Sequence, residues 1–132
     1  MQDSERKWSM AWELDADRPI YAQLVERIQV EIVSGVYPPG GKLPSVRELA
    51  ATAAVNPNTM QKAFAELERS GLIVTQRTNG RTVTEDETLI RSIRTQLAEG
   101  HVETYFTGMK GLGYGKKESI QMLQDIYEGE EA

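Results

Sequence analysis

Two helix-start signals sit eleven residues apart in the chain, and they restrict its fold more than any other feature. Ser45-Val46-Arg47-Glu48 has the capping-box spacing, in which the serine hydroxyl accepts an N–H three residues on and the glutamate reaches back to the serine N–H. The spacing predicts a short helix through about Ala53, packed by Val46, Leu49 and Ala50. Ala54-Val55 leaves room only for a tight turn. Asn56-Pro57 then restarts a helix, with asparagine at the N-cap and proline at the first helical position, where its missing N–H costs nothing. This second helix is expected to run to about Ser70 and stop at Gly71. Met60, Ala63, Phe64 and Leu67 share one face of it, while Asn58, Thr59, Gln61, Lys62 and Arg69 point elsewhere. Two short helices joined by a turn, the second polar and cationic on its free face, form a helix-turn-helix.

The flanks complete a small domain. Ile20, Leu24, Ile28 and Ile32 recur every four residues behind Pro19, which draws one apolar helix face ending near Gly35. Tyr37-Pro38-Pro39-Gly40-Gly41 forbids more helix, so a connector follows to Leu43-Pro44. Beyond Gly71, residues 72–77 read as a strand, Thr78-Asn79-Gly80 as a turn, and residues 81–84 as the returning strand. A helix-turn-helix followed by a hairpin with arginines flanking its tip is a winged helix. The fold class is mainly α with a small β-hairpin: a winged helix-turn-helix domain over residues 1–84, with an N-terminal extension at 1–17, then a two-helix appendage over 85–132.

Charge agrees with this division. The chain has 15 basic and 20 acidic residues, a net charge of −5, which taken whole argues against a nucleic-acid partner. Residues 1–17 hold two basic and five acidic side chains, residues 18–82 eight and five, and residues 83–132 five and ten. Only the middle segment is therefore suited to a polyanion. The chain has no cysteine and one histidine, so thiolate and cysteine-zinc chemistry are excluded, and no catalytic or metal site and no cofactor is expected. No run spans a bilayer and the opening residues lack a leader pattern, which reads as cytoplasmic with no membrane partner.

The ordered residues also carry a resemblance. Gly40-x-Lys42-Leu43-Pro44-Ser45-x-Arg47-x-Leu49-Ala50, Val55-Asn56-x-x-Thr59-Met60-x-Lys62-Ala63-Phe64 and Leu67-Glu68-x-x-Gly71-Leu72-Ile73 resemble the winged-helix domain of the GntR family of bacterial transcriptional regulators. The match spans roughly residues 12–84. The resemblance implies a double-stranded DNA operator as partner. Ser45 and Arg47 would hold phosphates, Asn56, Asn58, Thr59, Gln61 and Lys62 would face the major groove or its rims, and Arg77, Gly80 and Arg81 would form the wing contacts. Where the family's wing commonly reads Gly-x-Gly, this chain has Thr78-Asn79-Gly80, and Pro57 and Gln61 stand where some members carry arginine.

In the appendage, Leu89, Ile93 and Leu97 begin a long apolar helix face that continues through Ile90, Ala98, Val102, Tyr105, Phe106 and Met109. Gly111-Leu112-Gly113-Tyr114-Gly115 breaks it, without the Gly-Lys-Ser/Thr ending of a phosphate loop. A second helix from about Lys116 carries Ile120, Leu123, Ile126 and Tyr127. Two such helices cannot bury these faces alone, so self-association as a homodimer is expected. The tail resembles the YtrA subfamily of GntR regulators, whose short tail dimerises and whose members often regulate adjacent transporter genes. The resulting reading is a homodimeric repressor on a two-fold symmetric operator, its effector unknown. The alternative is a winged-helix protein-interaction module with no sequence-specific DNA binding.

Overall fold

A computed structural model describes residues 12–131 of the chain. The part of the N-terminal extension before Trp12 lies outside the described residues. Five helices and a two-stranded hairpin follow in the order α1 (Ile20–Val33), α2 (Val46–Ala53), α3 (Pro57–Arg69), β1 (Ile73–Gln76), β2 (Gly80–Val83), α4 (Glu87–Gly111) and α5 (Lys116–Glu131). The chain divides after Arg94 into two compact units.

In the first unit, α3 packs against α1, α2 and β1. Its stripe of Met60, Ala63, Phe64 and Leu67 has no exposed surface and meets Leu24, Ile28 and Ile32 of α1, Leu49, Ala50 and Ala53 of α2, and Leu72, Ile73 and Val83 of the hairpin in one core. The lead-in to α1 is anchored by Gln23, buried, whose amide donates to the Asp15 and Arg18 carbonyls at 2.7 and 3.1 Å and accepts from the Asp15 N–H at 2.6 Å. Ahead of it, the Arg27 guanidinium stacks 4.7 Å from the Trp12 ring centre and pairs with the buried Glu31 at 2.9 Å. At the far end of α1 the Tyr37 hydroxyl, half-buried beside Glu31, has its pKa pushed up to about 12 by burial and by that carboxylate.

Both predicted helix starts form. Ser45 Oγ accepts the Glu48 N–H at 3.1 Å and Glu48 Oε1 accepts the Ser45 N–H at 3.1 Å, closing the capping box. Asn56 Oδ1 accepts the Asn58 N–H at 2.7 Å, with Pro57 opening α3. Between them Ala54 adopts a left-handed conformation with φ of 59°, so the chain turns sharply while its N–H still bonds the end of α2.

The wing differs from the sequence reading in two respects. The connector after Pro39 is not a free loop: Gly40 N–H bonds Val83 O, Gly41 O accepts the Val83 N–H and Leu43 N–H bonds Arg81 O, with Lys42 opposite Thr82. The prolines prevent helix and hold this stretch extended, so it adds a third, short edge beside β2. Gly41 is needed there because a Cβ would stand 2.9 Å from the Pro38 carbonyl oxygen. Strands β1 and β2 pair antiparallel from Ile73 opposite Val83 to Gln76 opposite Gly80, so the turn is Arg77-Thr78-Asn79, one residue earlier than expected, and Gly80 opens β2.

Asp86 caps α4 by accepting the Thr88 and Leu89 N–H groups at 3.1 and 3.2 Å. The first turns of α4 belong to the first unit. Ile90 and Ile93 are buried there, and the Arg94 guanidinium donates twice to the Val33 carbonyl at the end of α1, at 3.2 and 3.0 Å. In the second unit the remainder of α4 and α5 form a helical hairpin. The Tyr105 hydroxyl donates to the Ser119 carbonyl at 2.8 Å, and the Tyr105 and Phe106 rings lie 5.5 Å apart. Gly113, with φ of 98°, makes the turn, and Glu118 accepts the Gly115 N–H at 3.0 Å before α5.

Two outcomes follow from the turn and the cap. Ala54 is exposed and adopts a left-handed conformation that its Cβ disfavours, so Ala54→Gly should raise unfolding free energy by roughly 0.5–1 kcal/mol and Tm by a few degrees in calorimetry; an unchanged or lower Tm would contradict this. The Glu48 carboxyl is held below its usual range by its hydrogen bonds with Ser45. Its ionised form therefore favours folding at pH above the unfolded value of about 4.3, and that contribution is lost as pH falls through the lower folded value. Glu48→Gln should flatten the acid side of the stability curve, measured by urea unfolding between neutral pH and the carboxylate range.

Candidate nucleic-acid interface

The residues singled out as DNA contacts converge from three places in the chain. The N-terminus of α2, the N-terminus of α3 and strand β2 enclose an open groove of about 490 Å³ lined by Ser45, Val46, Arg47, Pro57, Asn58, Gln61 and Arg81. Five of these seven are expected DNA contacts. Two helix N-termini open onto the same region, which favours an anion, and no acidic side chain is among the lining residues.

The individual side chains are not equally available. Arg47 is exposed and has no ion-pair partner among the described residues. Ser45 spends one hydroxyl lone pair and its N–H on the capping box. Asn56 uses Oδ1 on the Asn58 N–H, which leaves its amide N–H groups outward. Asn58 and Gln61 are exposed on the groove, while Thr59 is half-buried and does not line it. Lys62 is exposed but steadied: its ammonium lies 3.9 Å from the Tyr21 ring centre, which keeps the charge at the rim next to α1.

On the wing, Arg77 is exposed at the turn and Gly80 has φ of 69° with open space where a Cβ would stand. Gly80 thus supplies the backbone bend at the tip. Arg81 behaves differently from its symmetrical placement in sequence. Its side chain turns back under α3, with Nε donating to Glu68 Oε1 at 2.8 Å and its guanidinium carbon 5.2 Å from the buried Phe64 ring centre. Sequence reasoning missed Glu68 and Tyr21 as partners of the cationic side chains. Nothing in periodicity could have found them, since 13 residues separate Glu68 from Arg81 along the chain.

In the second unit, Val102, Ile120, Leu123, Ile126 and Tyr127 are exposed, and Tyr105 and Phe106 are half-buried. Leu89 and Leu97 are half-buried, and Ile93 is buried within the first unit of a single chain. No described helix is long and apolar enough to cross a membrane.

Comparison with known proteins gives a consistent result. The family profile for "Bacterial regulatory proteins, gntR family" matches residues 20–83, from the start of α1 to the end of β2. The HTH-type transcriptional regulator YhcF of Bacillus subtilis is 34% identical over 89% of this chain and 97% of its own length. The HTH-type transcriptional repressor YtrA of Bacillus subtilis is 39% identical over 70% of this chain and 75% of its own length. A solved GntR family transcriptional regulator from Listeria monocytogenes superposes with a TM-score of 0.76 at 41% identity, covering 85% of this chain and 98% of that one. With a winged helix-turn-helix over the matched residues and YhcF, 34% identical, aligned over nearly its full length, the chain belongs to the gntR family of bacterial regulatory proteins.

Proposed function

We propose that the chain is a sequence-specific DNA-binding repressor that acts as a homodimer on a two-fold symmetric operator. The observation that carries this is the groove in which Ser45, Arg47, Asn58, Gln61 and Arg81 meet from α2, α3 and the wing. Arg47 and Lys62 bind backbone phosphates, and Asn56, Asn58, Thr59 and Gln61 approach base edges in the major groove, where amide side chains pair with adenine. Arg77 and Gly80 carry the wing tip toward the adjacent minor groove. Repression is supported by the likeness to YtrA, named a transcriptional repressor.

Residues 1–84 form the DNA-binding domain in this reading and residues 85–132 the dimerisation region. Because Ile93 is already buried in one chain, the association face starts beyond it, with Leu97, Val102, Tyr105 and Phe106 on α4 and Ile120, Leu123, Ile126 and Tyr127 on α5. The last four residues are 40–64% exposed and recur at helical spacing along α5, an apolar grouping of the kind that marks an association face. Pairing would set two recognition helices about 34 Å apart, one turn of DNA, and multiply a weak single contact.

Two experiments test this. In a mobility-shift assay on the promoter of its own gene, binding should fall steeply with salt, and Arg47→Ala with Lys62→Ala should weaken it by roughly 100-fold while reducing the log–log salt slope by about 2. Salt-insensitive binding, or binding indifferent to both substitutions, would count against DNA reading and for a protein-interaction module. In size-exclusion with light scattering, wild type should show twice the 14.8 kDa chain mass at micromolar concentration, and Leu123→Asp with Ile126→Asp should give the monomer; a wild-type monomer would rule out the paired reader.

A further inference from the structure

Glu68 is an acidic side chain beside a surface that is read above as binding a polyanion, and its surroundings explain why it stands there. It occupies the last turn of α3 and divides its two oxygens between the two strands of the wing. Oε1 accepts from Arg81 Nε at 2.8 Å and Oε2 accepts from the Thr75 hydroxyl at 2.7 Å. Thr75 and Arg81 are directly opposite each other in the hairpin register, so one carboxylate clasps both strands at a single rung. The pair is partly sheltered, with 27% of the Arg81 side chain and 32% of the Glu68 side chain exposed.

The consequence for Arg81 is directional. Phe64 covers one region of the guanidinium and Glu68 takes Nε, whereas Nη1 and Nη2 have no hydrogen-bond partner among the described residues. Arg81 lines the groove with Ser45, Arg47, Asn58 and Gln61, and with Nε taken by Glu68 the Nη edge is the part of its guanidinium left to meet a phosphate there. A guanidinium is a planar fork that binds an anion bidentately, and fixing one edge on a carboxylate presets the other. A free arginine loses rotamer freedom when it binds; one already held loses less.

We propose that Glu68 is a positioning residue for DNA binding, holding Arg81 and both wing strands against the recognition helix so that the free edge of Arg81 meets a backbone phosphate. The proposal rests on the DNA-binding reading above. It predicts a sign opposite to simple electrostatics. Removing a carboxylate near a polyanion site should tighten binding if charge alone matters; here its removal weakens binding, because a disordered Arg81 contributes less than an aligned one.

The test uses the full chain and a fluorescent duplex recovered by the wild-type protein from a random-sequence library, followed by anisotropy across a salt series. Glu68→Gln should weaken binding about tenfold, the worth of one charge-assisted hydrogen bond, and lower the log–log salt slope by about 1. In an Arg81→Ala background the same change should have no further effect, an epistasis that general loss of stability would not produce. Should Glu68→Gln fail to fold by circular dichroism, Arg81→Lys serves instead: it keeps the charge, loses the fork and should bind as weakly as Arg81→Ala. Binding by Glu68→Gln as tight as wild type with an unchanged slope, or full activity of Arg81→Lys, would overturn the proposal. Arg47→Ala separates the two readings, since its weakening of binding in the same series leaves the DNA face standing when the role of Glu68 falls.

Discussion

Everything in the first unit depends on one buried stripe. Met60, Ala63, Phe64 and Leu67 of α3 are fully enclosed, and they are the surface against which α1, α2 and β1 pack. A helix of 13 residues would be marginal alone in water, so its conformation comes from this burial together with Asn56 and Pro57 at its start. The opposite stripe is thereby freed of structural duty and available for Asn58, Gln61 and Lys62. In the proposed reading the same helix is core on one side and reader on the other, and the orientation of the reading side is set by how tightly the core side is packed.

Charge is arranged by the same logic. The acids of the middle segment are largely spent on cations within the unit: Glu26 with Arg18, Glu31 with Arg27, Glu66 with Arg69 and Glu68 with Arg81. Glu48 is spent on the α2 cap. That leaves Lys42, Arg47, Lys62 and Arg77 without an ion pair among the described residues, and of these Arg47 lines the groove. A chain with a net charge of −5 can therefore present a local cationic surface, and the acidic flanks reduce its attraction to DNA in general. In the proposed reading, specific contacts and the geometry of a homodimer then carry more of the affinity.

Much of this was legible in the sequence because it is local. The capping box at Ser45 and Glu48, the Asn56-Pro57 start and the apolar period of α1 are each decided within a few residues, and each stands where the spacing put it, while the hairpin turn lies one residue earlier than its Asn-Gly signal placed it. What escaped were long-range pairings. The Gly40–Leu43 edge exists because β2 lies beside it, and no pattern within the segment encodes that neighbour. Arg81 is alike in composition to Arg77, yet only Arg81 has a phenylalanine and a glutamate from α3 within reach. Ile93 continued the apolar face of the tail in sequence, but α4 begins packed in the first unit, so that residue is buried before any partner arrives.

The central claim, that the polar stripe of α3 and its neighbours form the DNA-reading face, is tested most directly by backbone amide shift mapping on the labelled chain as a bound duplex is titrated in. Expected are the largest shifts at Ser45–Arg47, Asn56–Lys62 and Arg77–Arg81, with the exposed face of α1 unmoved. Shifts confined to residues 95–131, or spread without regard to the groove, would contradict it.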